Sequence, residues 1–181
     1  MEAIRGYEPK VIAYAESGGL PVLQDAVIDY FKNYNMDVER GDMIITTGGS
    51  EALTMIFTAL LNEGDEVLLA EPFYTNYNTF AKAAGGKVVP ITTSAEDGYH
   101  YAKREQIVPL ITEKTKAICC INPGNPTGTV LTMEEMQLIA DIAEEHDLWI
   151  IADEVYREFA YDGRTAVSFG QIESAKDRVI I

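Results

Sequence analysis

The chain has 181 residues, of which 47% are hydrophobic, and carries a formal net charge of -15. This length and apolar content suit a good-sized domain with a buried core. Its 14 lysines and arginines form no cluster, which argues against a nucleic-acid partner, because phosphate contacts need clustered basic side chains. No apolar run reaches the roughly 20 residues of a membrane span, and the N-terminus lacks the apolar core of a signal peptide. We therefore expect neither nucleic acid nor a membrane among its partners.

Helical and strand patterns alternate along the chain, and Pro21 suits the first position of a helix. The predicted elements of the first half are a helix that begins at Pro21, a strand at residues 43–47, a helix from about Ser50 to Leu60, a strand at residues 66–70, a helix at residues 75–84 and a strand at residues 87–91. Those of the second half are a helix at about residues 103–111, a strand at residues 116–121, a helix after the capping box TMEE at residues 132–135, a strand at residues 148–152 and a strand that begins near Arg178.

Short, continuous apolar strands separated by helices are typical of a mostly parallel sheet that is covered on both faces. We therefore predict the α/β class, with three layers in the order α/β/α. Cys119 and Cys120 are neighbours on one predicted strand and should point to opposite faces of the sheet. We expect two free core thiols, which fits a reducing cytoplasm. His100 and His146 have no partners at a metal-ligand spacing, so we expect no metal site.

Ligands of open α/β sheets bind beyond the carboxyl ends of the strands, and three unusual segments follow predicted strands directly. The first is residues 46–53, TTGGSEAL. Gly48 and Gly49 allow a close approach of the backbone to an anion, and the helix that follows presents free N–H groups. The hydroxyl of Ser50 adds a donor. The segment predicts a phosphate site, and the alternative is a plain tight turn.

The second segment is residues 122–128, NPGNPTG, in which two prolines and two glycines predict a rigid loop. Asn125 precedes a proline, which favours an extended backbone and sets the direction of its amide. The alternative is a connector to the next helix. In the third segment, ADEVY, Asp153 ends a buried strand. A buried carboxylate needs a cation or a strong donor, and the alternative is an ordinary turn aspartate.

Together these segments resemble the fold-type-I pyridoxal-phosphate (PLP) enzymes, and within them the class I and II aminotransferases of the aspartate aminotransferase type. Further matching segments are Tyr14 with GLPVL at residues 19–23, GDEV at residues 64–67 and PFY at residues 72–74. The resemblance implies an N-terminal segment at residues 1–13 and a partial PLP-binding large domain at residues 14–181, without the small domain. It implies a cytoplasmic, homodimeric enzyme that transfers an amino group from an amino acid to a 2-oxo acid.

The resemblance also implies which residues bind the cofactor. Gly48, Gly49 and Ser50 would hold its phosphate through N–H groups and a hydroxyl. Tyr74 would stack on the pyridine ring, which suits an aromatic face. Otherwise Tyr74 is a half-buried core tyrosine. Asp153 would pair with the pyridine nitrogen and keep it protonated, so that the ring can accept electrons from the substrate.

Three further residues complete this set. Asn125 and Tyr156 would form hydrogen bonds with the phenolic oxygen of the ring. Tyr14 would reach the phosphate in the site of the other subunit of the homodimer, and the alternative is a loop tyrosine that packs near the start of the chain.

The chain departs from the family in its lysines. The Schiff-base lysine of the family follows the strand that here begins near Arg178, so the resemblance places it beyond Ile181, and none of the eight lysines of this sequence lies in that context. The arginines that hold the phosphate and the substrate carboxylate in the family also come later. We therefore expect no catalytic residue in the chain and no transamination by the chain alone. Gly124 and Gln24 are smaller departures, where relatives often have a bulkier polar residue and an arginine.

Two alternative functions stay open. A PLP-dependent carbon–sulfur β-lyase or a decarboxylase on the same scaffold would have the same cofactor residues, because the electron-accepting ring is shared and only the broken bond differs. A non-catalytic binding module, such as the sensing domain of a regulator, is the alternative from outside the enzymes.

Overall fold

The computed structural model describes residues 1–8, 10–11, 13–164 and 167–181. Its internal contacts divide the chain into two compact units, residues 1–46 and residues 47–181. The division at residue 13 that the family resemblance implies stays a prediction.

The first unit contains helices α1 (Glu2–Arg5) and α2 (Pro21–Lys32) and a 3-10 helix at Arg40–Asp42. Pro21 occupies the first turn of α2, as predicted. The buried amide of Gln24 donates to the carbonyl oxygens of Gly18 and Arg40, at 3.2 and 3.3 Å. Gln24 therefore connects the segments before and after α2, at a position where the family often has an arginine.

The strand predicted at residues 43–47 is wrong, because this segment has no strand in the structure. The N–H of Ile45 donates to the carbonyl oxygen of Gly18 at 2.9 Å, in an irregular loop. Gly19 has a φ of 108°, and a Cβ on it would lie 2.5 Å from Cβ of Ile45. Ile45 therefore packs on a glycine turn instead of joining a ladder, whereas Ile44 is 60% exposed.

The second unit is built on one parallel sheet. Its strands are β1 (Glu66–Ala70), β2 (Lys87–Ile91), β3 (Thr115–Ile121), β4 (Trp149–Asp153) and β5 (Val179–Ile180). They lie in the order β2-β1-β3-β4-β5, and every neighbouring pair is parallel. The carboxyl ends of the strands consequently lie along one edge of the sheet.

Helices cover both faces of this sheet. They are α3 (Gly49–Leu60), α4 (Asn76–Ala83), α5 (Arg104–Ile107) and α6 (Met133–Glu145), with 3-10 helices at Ala95–Asp97, Val108–Leu110, Phe169–Gln171 and Glu173–Ala175. In one core cluster, α3 and α4 pack on strand residues such as Leu69 and Cys119. In the other, α5 and α6 pack on residues such as Leu68 and Cys120. The predicted α/β/α layering and the opposite orientations of the two cysteines are confirmed.

Two local features follow from the sequence chemistry. The capping box at Thr132 is confirmed: its hydroxyl accepts the N–H of Glu135 at 3.2 Å, and the Glu135 carboxylate accepts the N–H of Thr132 at 2.8 Å. The helix predicted at residues 103–111 is shorter, because Pro109 has no N–H to donate and the chain continues as a 3-10 turn. Within the described residues, we find no helix with the length and hydropathy needed to cross a membrane.

The two cysteines provide a test of the sheet. Both are fully buried, and burial raises the pKa of the Cys119 thiol well above its ordinary value and that of the Cys120 thiol to about 12. Because only the thiolate reacts, we expect neither thiol to react with a thiol reagent at pH 8 until the protein unfolds. The control is a Glu173→Cys variant, which should show one fast-reacting thiol because that position is exposed. Rapid labelling of three thiols in this variant would contradict the packing.

Candidate functional site

The parallel pairing of β3 with β4 brings two of the three segments together. Ile121 and Asp153 are register partners at the ends of these strands, and the N–H of Asn122 donates to the carbonyl oxygen of Asp153 at 2.9 Å. The loop at residues 122–128 and the ADEVY segment therefore leave the sheet side by side.

The Asp153 carboxylate has the strong donor that its position predicts. The hydroxyl of Tyr77 donates to Oδ2 at 2.5 Å, and the N–H of Val155 donates to Oδ1 at 3.1 Å. Tyr77 is 2% exposed, and burial raises the pKa of its phenol well above the ordinary value. The phenol therefore stays protonated, and one edge of the carboxylate is held from within the protein. Asp153 itself is only partly buried.

Sequence reasoning missed Tyr77. It lies in the first turn of α4, three residues after Tyr74, and packs with Ala81 in the core between that helix and the sheet. The sequence pattern predicted a helix at residues 75–84 and no role for Tyr77. The signal available in the sequence was a tyrosine at the start of the helix that follows the carboxyl end of a strand.

Asn125 and Tyr156, which the family resemblance assigns to the same oxygen of the cofactor, are in contact in the structure. The amide of Asn125 donates to the hydroxyl of Tyr156 at 3.4 Å, and the tyrosine ring lies edge-on to Phe159 with centroids 6.1 Å apart. Asn122 connects the two ends of the loop. It is buried, and its side-chain oxygen accepts the N–H of Leu131 at 2.9 Å. Asn122 is the second residue of the site that sequence reasoning missed.

The glycine turn forms an open helix start. Gly48 precedes α3 with a φ of 87°, in the left-handed region that favours glycine. A Cβ built on Gly48 or Gly49 would meet no atom within 4 Å, so both α-carbons border open space. The first N–H groups of an α-helix have no partner within the helix and carry its positive dipole end. The turn also contains the hydroxyl of Ser50 and the carboxylate of Glu51, which accepts the N–H of Thr47 at 2.5 Å.

Tyr74 follows the carboxyl end of β1 and is half-exposed, with 49% of its surface accessible. Its hydroxyl accepts a hydrogen bond from the amide of Asn76 at 2.8 Å. The preceding residue, Phe73, lies edge-on to the ring of Tyr77 at 6.5 Å. Tyr74 and the glycine turn are thus connected to Asp153 through α3 and α4, which share one core cluster, and not by direct hydrogen bonds.

Tyr14 lies in the first unit, and its side chain is fully exposed. Its assignment to the site of a partner subunit stays a prediction, as do the cofactor contacts of the other seven residues.

Ile181 marks the point beyond which the family resemblance places the Schiff-base lysine. It directly follows β5 and is 43% exposed. Because β5 pairs in parallel with β4 through Ile151 and Ile180, Ile181 lies toward the same edge of the sheet as Asp153. The position of the catalytic lysine beyond Ile181 stays a prediction.

Comparison with known proteins identifies the class. The model of the family "Aminotransferase class I and II" matches residues 2–181. An aspartate aminotransferase of Bacillus sp. (strain YM-2) is 38% identical over 181 residues, which cover 99% of this chain and 46% of that protein. An aspartate aminotransferase of Bacillus subtilis (strain 168) is 35% identical over the same shares of the two chains.

Solved structures agree with the sequence comparison. The aromatic aminotransferase from Pyrococcus horikoshii OT3 matches with a TM-score of 0.88 and 32% identity, over 92% of this chain and 45% of that one. The aspartate aminotransferase from Thermus thermophilus with maleate matches with a TM-score of 0.86 and 34% identity, over 92% and 43% of the two chains.

The chain therefore belongs to the class I and II aminotransferase family, and the resemblance found in its motifs is confirmed. Its sheet and helices are those of the aminotransferase large domain. The chain spans about half the length of the curated relatives that it matches.

The contact between Tyr77 and Asp153 can be tested by a double-mutant cycle on the free energy of unfolding in urea at pH 7. We expect Tyr77→Phe and Asp153→Ala to be coupled by about 1.5–3 kcal/mol, the usual net value of a hydrogen bond to a charged group. Tyr161→Phe is the control, because Tyr161 is 67% exposed, and it should be additive with Asp153→Ala. Additivity in the test pair would contradict the contact.

Proposed function

We propose that this chain is the PLP-binding part of an aminotransferase that transfers an amino group from an amino acid to a 2-oxo acid. The observation that carries the proposal is the Asp153 carboxylate, held by Tyr77 at the carboxyl end of β4. The pair of Asn125 and Tyr156 leaves the same edge of the sheet. Membership of the aminotransferase family supports the reaction class.

The residues present fit the parts of PLP. The phosphate suits the glycine turn at the start of α3, because helix N-termini bind anions and a Cβ built on Gly48 or Gly49 would enter open space. Binding there needs no lysine or arginine, because the helix dipole and backbone donors favour an anion. Tyr74 offers a half-exposed aromatic ring for stacking on the pyridine.

When bound, PLP supplies an electron-accepting ring that stabilises negative charge at the substrate α-carbon. Asp153 would keep the ring nitrogen protonated through a charge-assisted hydrogen bond. Tyr77 would hold the carboxylate in place from the other side, because its phenol donates at all ordinary pH values. Asn125 and Tyr156 would both donate to the phenolic oxygen of the ring, which lowers the charge on that oxygen.

We further propose that the 181-residue polypeptide alone does not transaminate. Four lysines of the second unit pair with acidic side chains: Lys87 with Glu66, Lys103 with Asp97, Lys116 with Asp65 and Lys176 with Glu173. Lys87 and Lys116 lie at the amino ends of their strands, opposite the edge where Asp153 lies. This arrangement supports cofactor binding without a covalent bond.

The remaining proposals come from the family. They are a homodimer in which Tyr14 contributes to the partner's site, amino acids and 2-oxo acids as substrates, and a cytoplasmic location. Several relatives have names that give aspartate as a substrate, and we propose no narrower specificity for this chain.

The decisive experiment is a titration of the purified chain with PLP, followed by absorbance and then by borohydride reduction and intact mass. We expect saturable binding without a covalent mass gain. Asp153→Ala should weaken binding by about tenfold or more, since a charge-assisted hydrogen bond contributes about 1.5–3 kcal/mol. Asp177→Ala, an exposed aspartate, is the control and should bind normally. Equal affinity of the Asp153→Ala variant would remove this residue from the site, and a stoichiometric mass gain would refute the proposal on the lysines.

The phosphate assignment has a separate test in Gly49→Ala. We expect an unchanged or higher free energy of unfolding, because alanine is the better helix former and its methyl group meets no atom. PLP affinity should fall by about tenfold, since the methyl group enters the space proposed for the phosphate. Pyridoxal, which lacks the phosphate, is the control ligand and should bind both proteins equally. An equal loss for both ligands would place the phosphate elsewhere.

A further inference from the structure

Glu154 lies between two residues of the candidate site and points the opposite way. The next two residues, Val155 and Tyr156, are 68% and 37% exposed, whereas the side chain of Glu154 is 1% exposed. A buried carboxylate is costly unless it is fully paired. The protein thus places a charge in its interior immediately beside Asp153, the proposed partner of the cofactor nitrogen.

Both oxygens of this carboxylate are occupied. Oε1 accepts the hydroxyl of Ser168 at 3.0 Å and the N–H of Phe169 at 2.9 Å. Oε2 accepts Nε of Arg157 at 2.8 Å and also contacts its Nη2. The guanidinium is buried as well, with 6% of its side chain exposed. Four donors from two separate segments therefore hold one carboxylate in one orientation.

The two segments differ in how deeply they are buried. Phe169 is fully buried in the core cluster beneath α6, and Ser168 is buried beside it. The turn at residues 154–157 lies at the sheet edge, where the N–H of Arg157 donates to the carbonyl oxygen of Glu154 at 2.9 Å. Glu154 thus fastens an edge turn to a fixed part of the core.

We propose that Glu154 is a positioning residue for cofactor binding, which fixes the backbone between Asp153 and Tyr156 so that both side chains face the same ligand. The inference rests on the proposed PLP site and adds a residue with no contact to the cofactor. The turn is short, so a shift of the backbone at Glu154 would move Asp153 and Tyr156 together. Glu154 pairs with Arg157 within the turn and with Ser168 and Phe169 outside it. These contacts restrict the backbone motion that such a shift would require.

The first variant is Glu154→Gln, compared with Glu173→Gln, which removes the carboxylate of an exposed pair with Lys176 at the same spacing. We expect Glu154→Gln to raise the Kd for PLP by about tenfold, the equivalent of one well-oriented hydrogen bond. Amide hydrogen exchange in the peptide that contains residues 153–157 should become faster without any cofactor present. Glu173→Gln should change neither quantity.

A second variant separates positioning from stability. Glu154→Gln leaves the buried Arg157 without its carboxylate and should lower Tm by roughly 10 °C, because breaking one half of a buried pair is strongly destabilising. The double variant Glu154→Gln with Arg157→Met removes both charges and should recover most of that Tm. If Glu154 positions the turn, PLP binding stays weak and exchange stays fast in the double variant. Recovery of binding together with Tm would overturn the proposal and leave a structural role.

Ser168→Ala covers the case in which Glu154→Gln does not fold, because it removes one donor and leaves the charges paired. It should give a smaller change in the same direction, about threefold in Kd, and wild-type affinity in this variant would overturn the proposal. If the unaltered chain binds no PLP, the proposed function fails, and hydrogen exchange then tests by itself whether Glu154 positions the turn. Faster exchange at residues 153–157 in the double variant Glu154→Gln with Arg157→Met, whose Tm is recovered, supports the positioning role, and exchange at the wild-type rate refutes it.

Discussion

The parallel pairing of β3 with β4 is the interaction on which the candidate site depends. It puts Ile121 beside Asp153 and lets the backbone of Asn122 bond to the carbonyl of Asp153. Parallel pairing also puts the carboxyl ends of all strands at one edge, so that loops from distant parts of the sequence can act on one ligand. A shift of one residue in this register would turn every side chain of β4 to the other face.

At this edge of the sheet, partly exposed side chains of the candidate site lie beside buried ones. Asp153 and Tyr156 are partly exposed, Tyr77 is buried and bonds to Asp153, and Glu154 is buried and bonds to Ser168 and Phe169. This division has a physical cause, since a group that must meet a ligand cannot also be enclosed. Its orientation must then come from residues behind it, which pack in the core and lose little freedom when the ligand binds.

The strong negative charge of the chain makes the glycine turn informative. With a net charge of -15, the protein as a whole repels an anion. At physiological salt this repulsion is screened over about 8 Å, so local donors decide whether an anion binds. Backbone N–H groups at the start of α3 are such donors, and they add no basic side chain to the surface. Gly48 and Gly49 both border open space at this helix start.

The sequence by itself determined the fold class, most of the elements and the three loops of the site. Apolar periodicity is a local property, and the capping box at Thr132 and the glycines at residues 48–49 act within one turn of helix. The pattern failed at residues 43–47, where a strand-like composition met a glycine turn instead of a ladder partner. The shortened helix at Pro109 is a smaller failure of the same kind.

Only the tertiary structure decided which side chains orient the site. Tyr77 and Asp153 are 76 positions apart in the sequence, and Glu154 meets Ser168 across 14 positions. Spacing rules cover contacts within a helix or a strand, and no such rule links a tyrosine on α4 to the end of β4. These partners are set by how the helices pack on the sheet and by the need of each buried polar group for a bond. That need is satisfied only once the whole second unit has folded.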